Sequence, residues 1–128
     1  VLKTAQTVFK DNQQYTKDKN GIVYDAETDL EWYAGPDEKM NQYKAKVWVK
    51  KLDVDNGGWR LPSLGEIKSL YKKGAGKSNC TLLLINSPDW KVWSNDDASI
   101  NNSFRFDFSM GTSDYYNDAK VIAVRKRK

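Results

Sequence analysis

The sequence predicts an α+β fold: two helices packed on an antiparallel β-sheet, with a long loop-rich segment ahead of the closing strands. Three observations predict it. Apolar residues alternate before and after a central stretch in which they repeat with helical spacing, so strands and helices are segregated and do not interleave as parallel βαβ units would. A capping signature, Ser63-Leu64-Gly65-Glu66, marks the start of a helix inside that stretch. The chain has 128 residues, enough for one core that buries about two thirds of the unfolded surface. Residues 1–128 therefore read as a single domain that needs neither metal nor disulfide to fold.

Each element follows from local pattern. Ile22, Val23 and Tyr24 form a β-prone run, and Leu30 and Trp32 alternate after the polar connection Asp25 to Asp29, which together predict a hairpin. Gly35-Pro36-Asp37 closes it. From Asn41 to Leu52 the apolar positions Ala45, Trp48, Val49 and Leu52 share one helical face, and Lys44, Lys46, Lys50 and Lys51 lie elsewhere and solvate the outside. Asp53 to Gly58 stops that helix; its Asp and Gly spacing departs from a calcium loop, and no Glu stands at the twelfth position.

The second helix starts at Ser63 behind Pro62, with Ile67, Leu70 and Tyr71 as its stripe and Gly74 and Gly76 as its end. Residues 74–102 read as loop apart from an apolar run at 81–85. Phe104, Phe106 and Phe108 alternate with Arg105 and Asp107, the pattern of a half-buried strand, and Ser109-Met110-Gly111 turns the chain. Val121 to Val124 is the last strand.

Composition restricts function. The chain has no histidine, which removes the usual general base near neutral pH and the commonest metal ligand. With the single cysteine Cys80 it holds no internal disulfide and no paired-cysteine metal site. No apolar run reaches the roughly 18 residues of a membrane span, and none reads as a leader. The net charge is +4, with ten basic and ten acidic residues in 1–64 but eleven and seven in 65–128. Lys68, Lys72, Lys73, Lys77 and the tail from Arg125 to Lys128 carry the excess, a pattern that attracts anionic polymers. Nucleic acid is not an expected partner, because the charge is modest and no helix-turn-helix or RNA-binding motif is present.

The order of motifs resembles a known family. Gly21-Ile22-Val23-Tyr24-Asp25, Thr28-Asp29-Leu30-Glu31-Trp32, Met40-Asn41, Trp59-Arg60-Leu61-Pro62-Ser63 with Glu66, Trp93-Ser94 and the strand from Val121 to Arg125 resemble domain-of-unknown-function family 1566. That family is named for the C-terminal domain of the Legionella collagen-like adhesin, and Leu2 to Thr7 is similar to its usual opening. The segment from Trp59 to Glu66 is also similar to formylglycine-generating proteins. Both likenesses imply a C-type-lectin-like fold in secreted or surface-attached bacterial proteins.

Relatives often carry one cysteine in the first helix and another in the last strand. The matching positions here are Val49 and Ala123, so the resemblance implies a packed contact in place of a bridge that contributes about 2–4 kcal/mol. Asp29 stands where relatives have the hairpin glycine, which implies a positive φ at a residue that tolerates it moderately.

The same likeness argues against chemistry. Formylglycine-generating enzymes need a reactive cysteine pair, and the sulfoxide synthases of related fold need histidine ligands; this chain has neither set. Trp93-Ser94-Asn95-Asp96 departs from the calcium motif of sugar-binding lectins by its extra Ser, and the partner motif is missing. Trp59, Arg60, Pro62 and Trp93 read as structural: Trp59 and Trp93 in the core, Arg60 paired with a carboxylate or carbonyls, Pro62 setting the helix start.

Recognition is therefore assigned to the loop-rich segment and the basic second half: Trp90, Lys91, Arg105, Tyr115 and Tyr116 as rings and cations that stack or anchor, with Lys72 and Lys73 as charge. The expected molecule is a non-catalytic extracytoplasmic binding module with no cofactor and no metal, contacting a glycan, acidic or sulfated polysaccharide foremost, or a protein surface in adhesion. A structural or accessory subunit of a bacterial cell-surface assembly, held by protein–protein contacts and possible as a homo-oligomer, is the alternative. Membrane insertion is not expected.

Overall fold

The computed structural model describes residues 14–75, 80, 90–99 and 102–127; the side chains at 97–99, 102–103 and 116 fall outside that description. Its elements run β1 (Tyr15–Lys17), β2 (Val23–Asp25), β3 (Leu30–Ala34), α1 (Gln42–Lys51), a 3-10 turn (Val54–Asn56), α2 (Leu64–Lys68), β4 (Lys91–Ser99), β5 (Asn102–Asp107), β6 (Thr112–Tyr116) and β7 (Ile122–Lys126). The class is α+β, as expected. The sheet is not single: β1-β2-β3-β7 form one antiparallel sheet and β4-β5-β6 a second.

The continuous apolar run before Arg125 explains how the layers join. Ile122 and Val124 lie in one buried cluster with Val23, Leu30, Trp32, Ile67, Leu70, Val92, Phe106 and Phe108. Val121 and Ala123 lie in another, with Ala45, Val49, Trp59, Leu61 and Trp93. Successive strand residues point to opposite faces, so a strand covered on both faces must be apolar throughout. One face of the first sheet thus meets α2 and the second sheet, and the other meets α1. Val49 and Ala123 share the second cluster, in keeping with the packed contact expected of them.

Local signals hold where backbone chemistry decides them. Asn41 caps α1, its side chain accepting from the Lys44 amide at 2.8 Å. The capping box at Ser63 is complete: Ser63 Oγ accepts from Glu66 N at 3.1 Å, and Glu66 accepts from Ser63 N at 2.9 Å. Asp29 takes φ 62° in the β2–β3 turn. Gly35 ends β3 where its backbone passes close to Val121, and a Cβ there would collide with the carbonyl oxygen and side chain of Val121.

Three expectations are corrected. The second helix ends at Lys68, not near Gly74, because Leu70 and Tyr71 leave it through tighter turns, Leu70 N to Ile67 O and Tyr71 N to Lys68 O. Leu70 is then fully buried and Tyr71 meets Phe106 edge-on at 5.8 Å. The segment read as loop contains the nine-residue strand β4. Its polar stretch hides it, since Ser94 is buried and bonds back to the Phe104 carbonyl at 2.9 Å, and the register shifts between Trp93 and Asp97. The strand of alternating phenylalanines is not half-exposed, because Arg105 and Asp107 are buried too. The apolar run at 81–85 and the opening at 2–7 lie outside the described residues.

Candidate functional site

The residues expected to bind are dispersed, and several are committed to the fold. Trp90 is 4 % exposed in the core between the sheets, with Lys120 Nζ 5.0 Å from its ring centre. Arg105 is 8 % exposed; its Nε donates to Asp114 at 2.7 Å and its guanidinium also donates to the Asp118 carbonyl at 2.9 Å. Burial thus corrects the reading of Trp90 and Arg105 as surface contacts: the ring fills space, and the arginine ties β5 to β6 and the segment after it.

Lys91 is half-buried at the start of β4, opposite Asp107 in the ladder. Tyr115 stays accessible, at 57 %, with its ring edge on Phe104 at 5.5 Å. The side chain of Tyr116 lies outside the described residues. Lys72 and Lys73 are exposed just after α2. The preceding Tyr71 packs against the Gly111 turn, at the Asp107–Thr112 end of the β5–β6 ladder, whereas Tyr115 pairs with Phe104 three positions further along. At about 3.3 Å per residue, that is roughly 10 Å of strand. The lysines and the tyrosine do not stand at one point.

The structural readings of the tryptophans and of Arg60 hold. Trp59 and Trp93 are buried, with indole N–H groups donating to Val54 and Met40 carbonyls at 3.0 and 2.7 Å. Arg60 grips Glu66 in a two-pronged pair, both bonds 2.8 Å. Hydrogen bonding to Arg60, reinforced by the Ser63 cap, holds the Glu66 carboxyl below the ordinary glutamate range. Arg125, 3 % exposed, joins Glu31 at 2.8 Å to Asp55 and the Asp55 and Gly57 carbonyls, and lies 4.1 Å over the Trp59 ring.

Two surface features escaped the sequence reading. The first is the outer face of α1, where Tyr43 is 73 % exposed among Lys44, Lys46, Lys50 and Lys51. Those lysines were read as a solvating face; a count of acids would have marked them, since none occurs from Lys39 to Leu52. The second is a cleft of about 380 Å³ at the β1–β2 edge, lined by Lys17, Asp18, Ile22, Tyr24, Glu31 and Arg127 among others. The Arg127 guanidinium lies 4.2 Å over the Tyr24 ring, and the Tyr24 hydroxyl donates to Asp29 at 2.7 Å. Only tertiary structure brings the tail to that hairpin. Among the described residues, no three metal-ligating side chains cluster, and no helix is long and apolar enough to cross a membrane.

The frame around these surfaces decides the family. The chain matches the model of the Lcl C-terminal domain over residues 21–126. It belongs to that family. The matched span runs from the turn before β2 to the end of β7, so the Lcl C-terminal domain includes both sheets and both helices described above except β1. The α1 face lies inside the match; the cleft draws Thr16, Lys17, Asp18 and Arg127 from outside it. No match was found among curated proteins.

Proposed function

We propose that this Lcl C-terminal domain is a non-catalytic, extracytoplasmic recognition module of C-type-lectin-like fold that acts in adhesion. Its ligand is a glycan, with acidic or sulfated polysaccharide the first candidate. Family membership supports an adhesion-related surface module, because the family takes its name from a collagen-like adhesin. One structural observation carries the ligand class. Arg105 and Arg125 are turned inward into ion pairs, while Lys44, Lys50, Lys51, Lys72 and Lys73 stand exposed and, among the described residues, without ion-pair partners. Uncompensated surface cations concentrate anionic polymers at the protein.

The test is retention of the intact chain on immobilised heparin across a salt series. Binding driven by these cations weakens steeply from about 50 to about 500 mM salt through counterion release. Retention that ignores salt overturns the acidic ligand.

A second reading, an accessory subunit of a cell-surface assembly held by protein contacts, is supported by Met110 and Tyr115. They are 69 % and 57 % exposed, on the β5–β6 turn and on the outer strand of the second sheet. Sedimentation showing an ordered oligomer at low micromolar concentration, with no glycan bound, favours this reading over the first.

A further inference from the structure

We infer that the outer face of α1 is the surface on which the domain holds a linear acidic polysaccharide, with Lys44, Lys46, Lys50 and Lys51 matching its charges and Tyr43 lying against a sugar face. The inference rests on the glycan reading above and deepens it by naming the site.

Helical geometry puts these groups together. At 3.6 residues per turn, Lys46, Lys50, Tyr43, Val47, Lys51 and Lys44 fall in that angular order within about 160° of one face. The opposite side of α1 holds Ala45 and Val49, fully or nearly buried, with Trp48 and Leu52 packed beside them. The helix is therefore fixed to the core by one side, and the cations project from the other. Lys44 and Lys51 are seven residues apart, about 10.5 Å along the axis. That length suits an extended chain carrying several charges and exceeds what one small anion would use.

The charge is also uncompensated. None of the four lysines makes an ion pair or side-chain hydrogen bond among the described residues. Of the acids that flank the helix, Asp37 is paired with Lys120 and Asp55 with Arg125, while Glu38 and Asp53 stand just beyond its two ends, outside the acid-free span from Lys39 to Leu52.

Lys50 and Lys51, in the last turn, suit the helix dipole, but the other two lysines are placed against the stability of the helix. Lys44 sits in the first turn, at the positive end of the helix dipole, where an acid is preferred and none is present. Lys46 and Lys50 are like charges at i and i+4. Departures from local consistency without a folding benefit concentrate at functional surfaces. Tyr43 adds a flat ring, 73 % exposed, in the middle of the cations. The only other apolar residue on the face is Val47, half-buried, so there is little to insert into a lipid layer. No arginine is present there to fork onto base edges or phosphates. These features favour a polysaccharide over a membrane or a nucleic acid.

The experiment titrates the intact chain with a size-defined heparin fragment over a salt series, alongside three variants checked for folding by circular dichroism. Replacing Lys44, Lys46, Lys50 and Lys51 together by Gln is expected to weaken binding at least about tenfold and to flatten the log–log salt slope by about 3. The four corresponding Lys→Arg changes keep the charge and are expected to retain affinity within about threefold. Lys72→Gln with Lys73→Gln removes two exposed cations that lie off this helix and is expected to weaken binding less than the four-Gln variant, by no more than about threefold.

A wild-type chain that binds no acidic polysaccharide defeats the glycan reading itself. A wild-type chain that binds while the four-Gln variant binds equally well overturns the α1 site alone. Loss confined to the Lys72/Lys73 variant overturns it too. Equal affinity and salt slope for duplex DNA or for anionic vesicles overturns the polysaccharide as occupant.

Discussion

The last three strands and the first helix use the same kind of residue in opposite ways. In β5 and β7, Arg105 and Arg125 are buried, and each gathers carboxylates and carbonyls from other elements. On α1 the lysines face solvent and gather nothing among the described residues. Arginine has five donors in a planar fork and serves as a buried clasp; lysine is a strongly hydrated point charge on a flexible stem. The positive charge of Arg105 and Arg125 therefore stabilises the fold, whereas positive charge on α1 remains available to a partner. A basic second half read from sequence mixes the two, because counting charges does not separate a clasp from a surface.

The largest expected effect tests the clasp. Arg125→Met leaves Glu31, only 14 % exposed, without its cation, and strips donors from the Asp55 and Gly57 carbonyls. Breaking a buried pair from one side costs about 3–5 kcal/mol, so urea unfolding should show a midpoint shift of that size. No change would mean that Arg125 belongs with the lysines. Arg105→Ala sharpens the point with a smaller loss. Its partners Asp114 and Asp118 are 48 % and 42 % exposed and regain water, leaving about 1–2 kcal/mol from hydrogen bonds and stem packing.

Next comes the cap of α2, a charge used locally. Ser63→Ala should lower stability by about 1 kcal/mol. The Arg60–Glu66 pair adds a pH signature. Because the Glu66 carboxyl is held below its ordinary range in the folded chain, its contribution is present above the unfolded value and is lost as pH falls through the folded one. The stability difference between wild type and Glu66→Gln should therefore shrink below roughly pH 4.3, as followed by thermal melts; a gap that persists in acid would assign the effect to packing. The smallest effect belongs to α1: Lys46→Gln or Lys50→Gln should move the unfolding midpoint by no more than about 0.5 kcal/mol. A larger loss would show that the face supports the fold.

Legibility followed the range of the interaction. The hairpin, the face of α1 built on Ala45, Trp48, Val49 and Leu52, and the Ser63 box were readable because neighbours within four residues decide them. The strand β4 was not, since Asn95, Asp96 and Asp97 spell a loop and only pairing with β5 makes them extended. The site was legible in its residue types and misplaced in its positions. Trp90 and Arg105 suit a binding surface, yet Lys120 and the acids that hold them inside are brought there by β6 and the segment after it. The lysines of α1 were in plain view in the sequence, and what hid them was that a solvated face and a binding face share one pattern.

What the sequence by itself determined is local: hydrogen-bond geometry at caps and turns, side-chain periodicity, and the absence of histidine. Tertiary structure alone decided that a second sheet exists, that β7 is covered on both faces, and which cations stay outside. The reason is physical. Burial of a charge depends on whether distant carboxylates and carbonyls arrive to replace its water, and that is settled only when the strands are laid side by side.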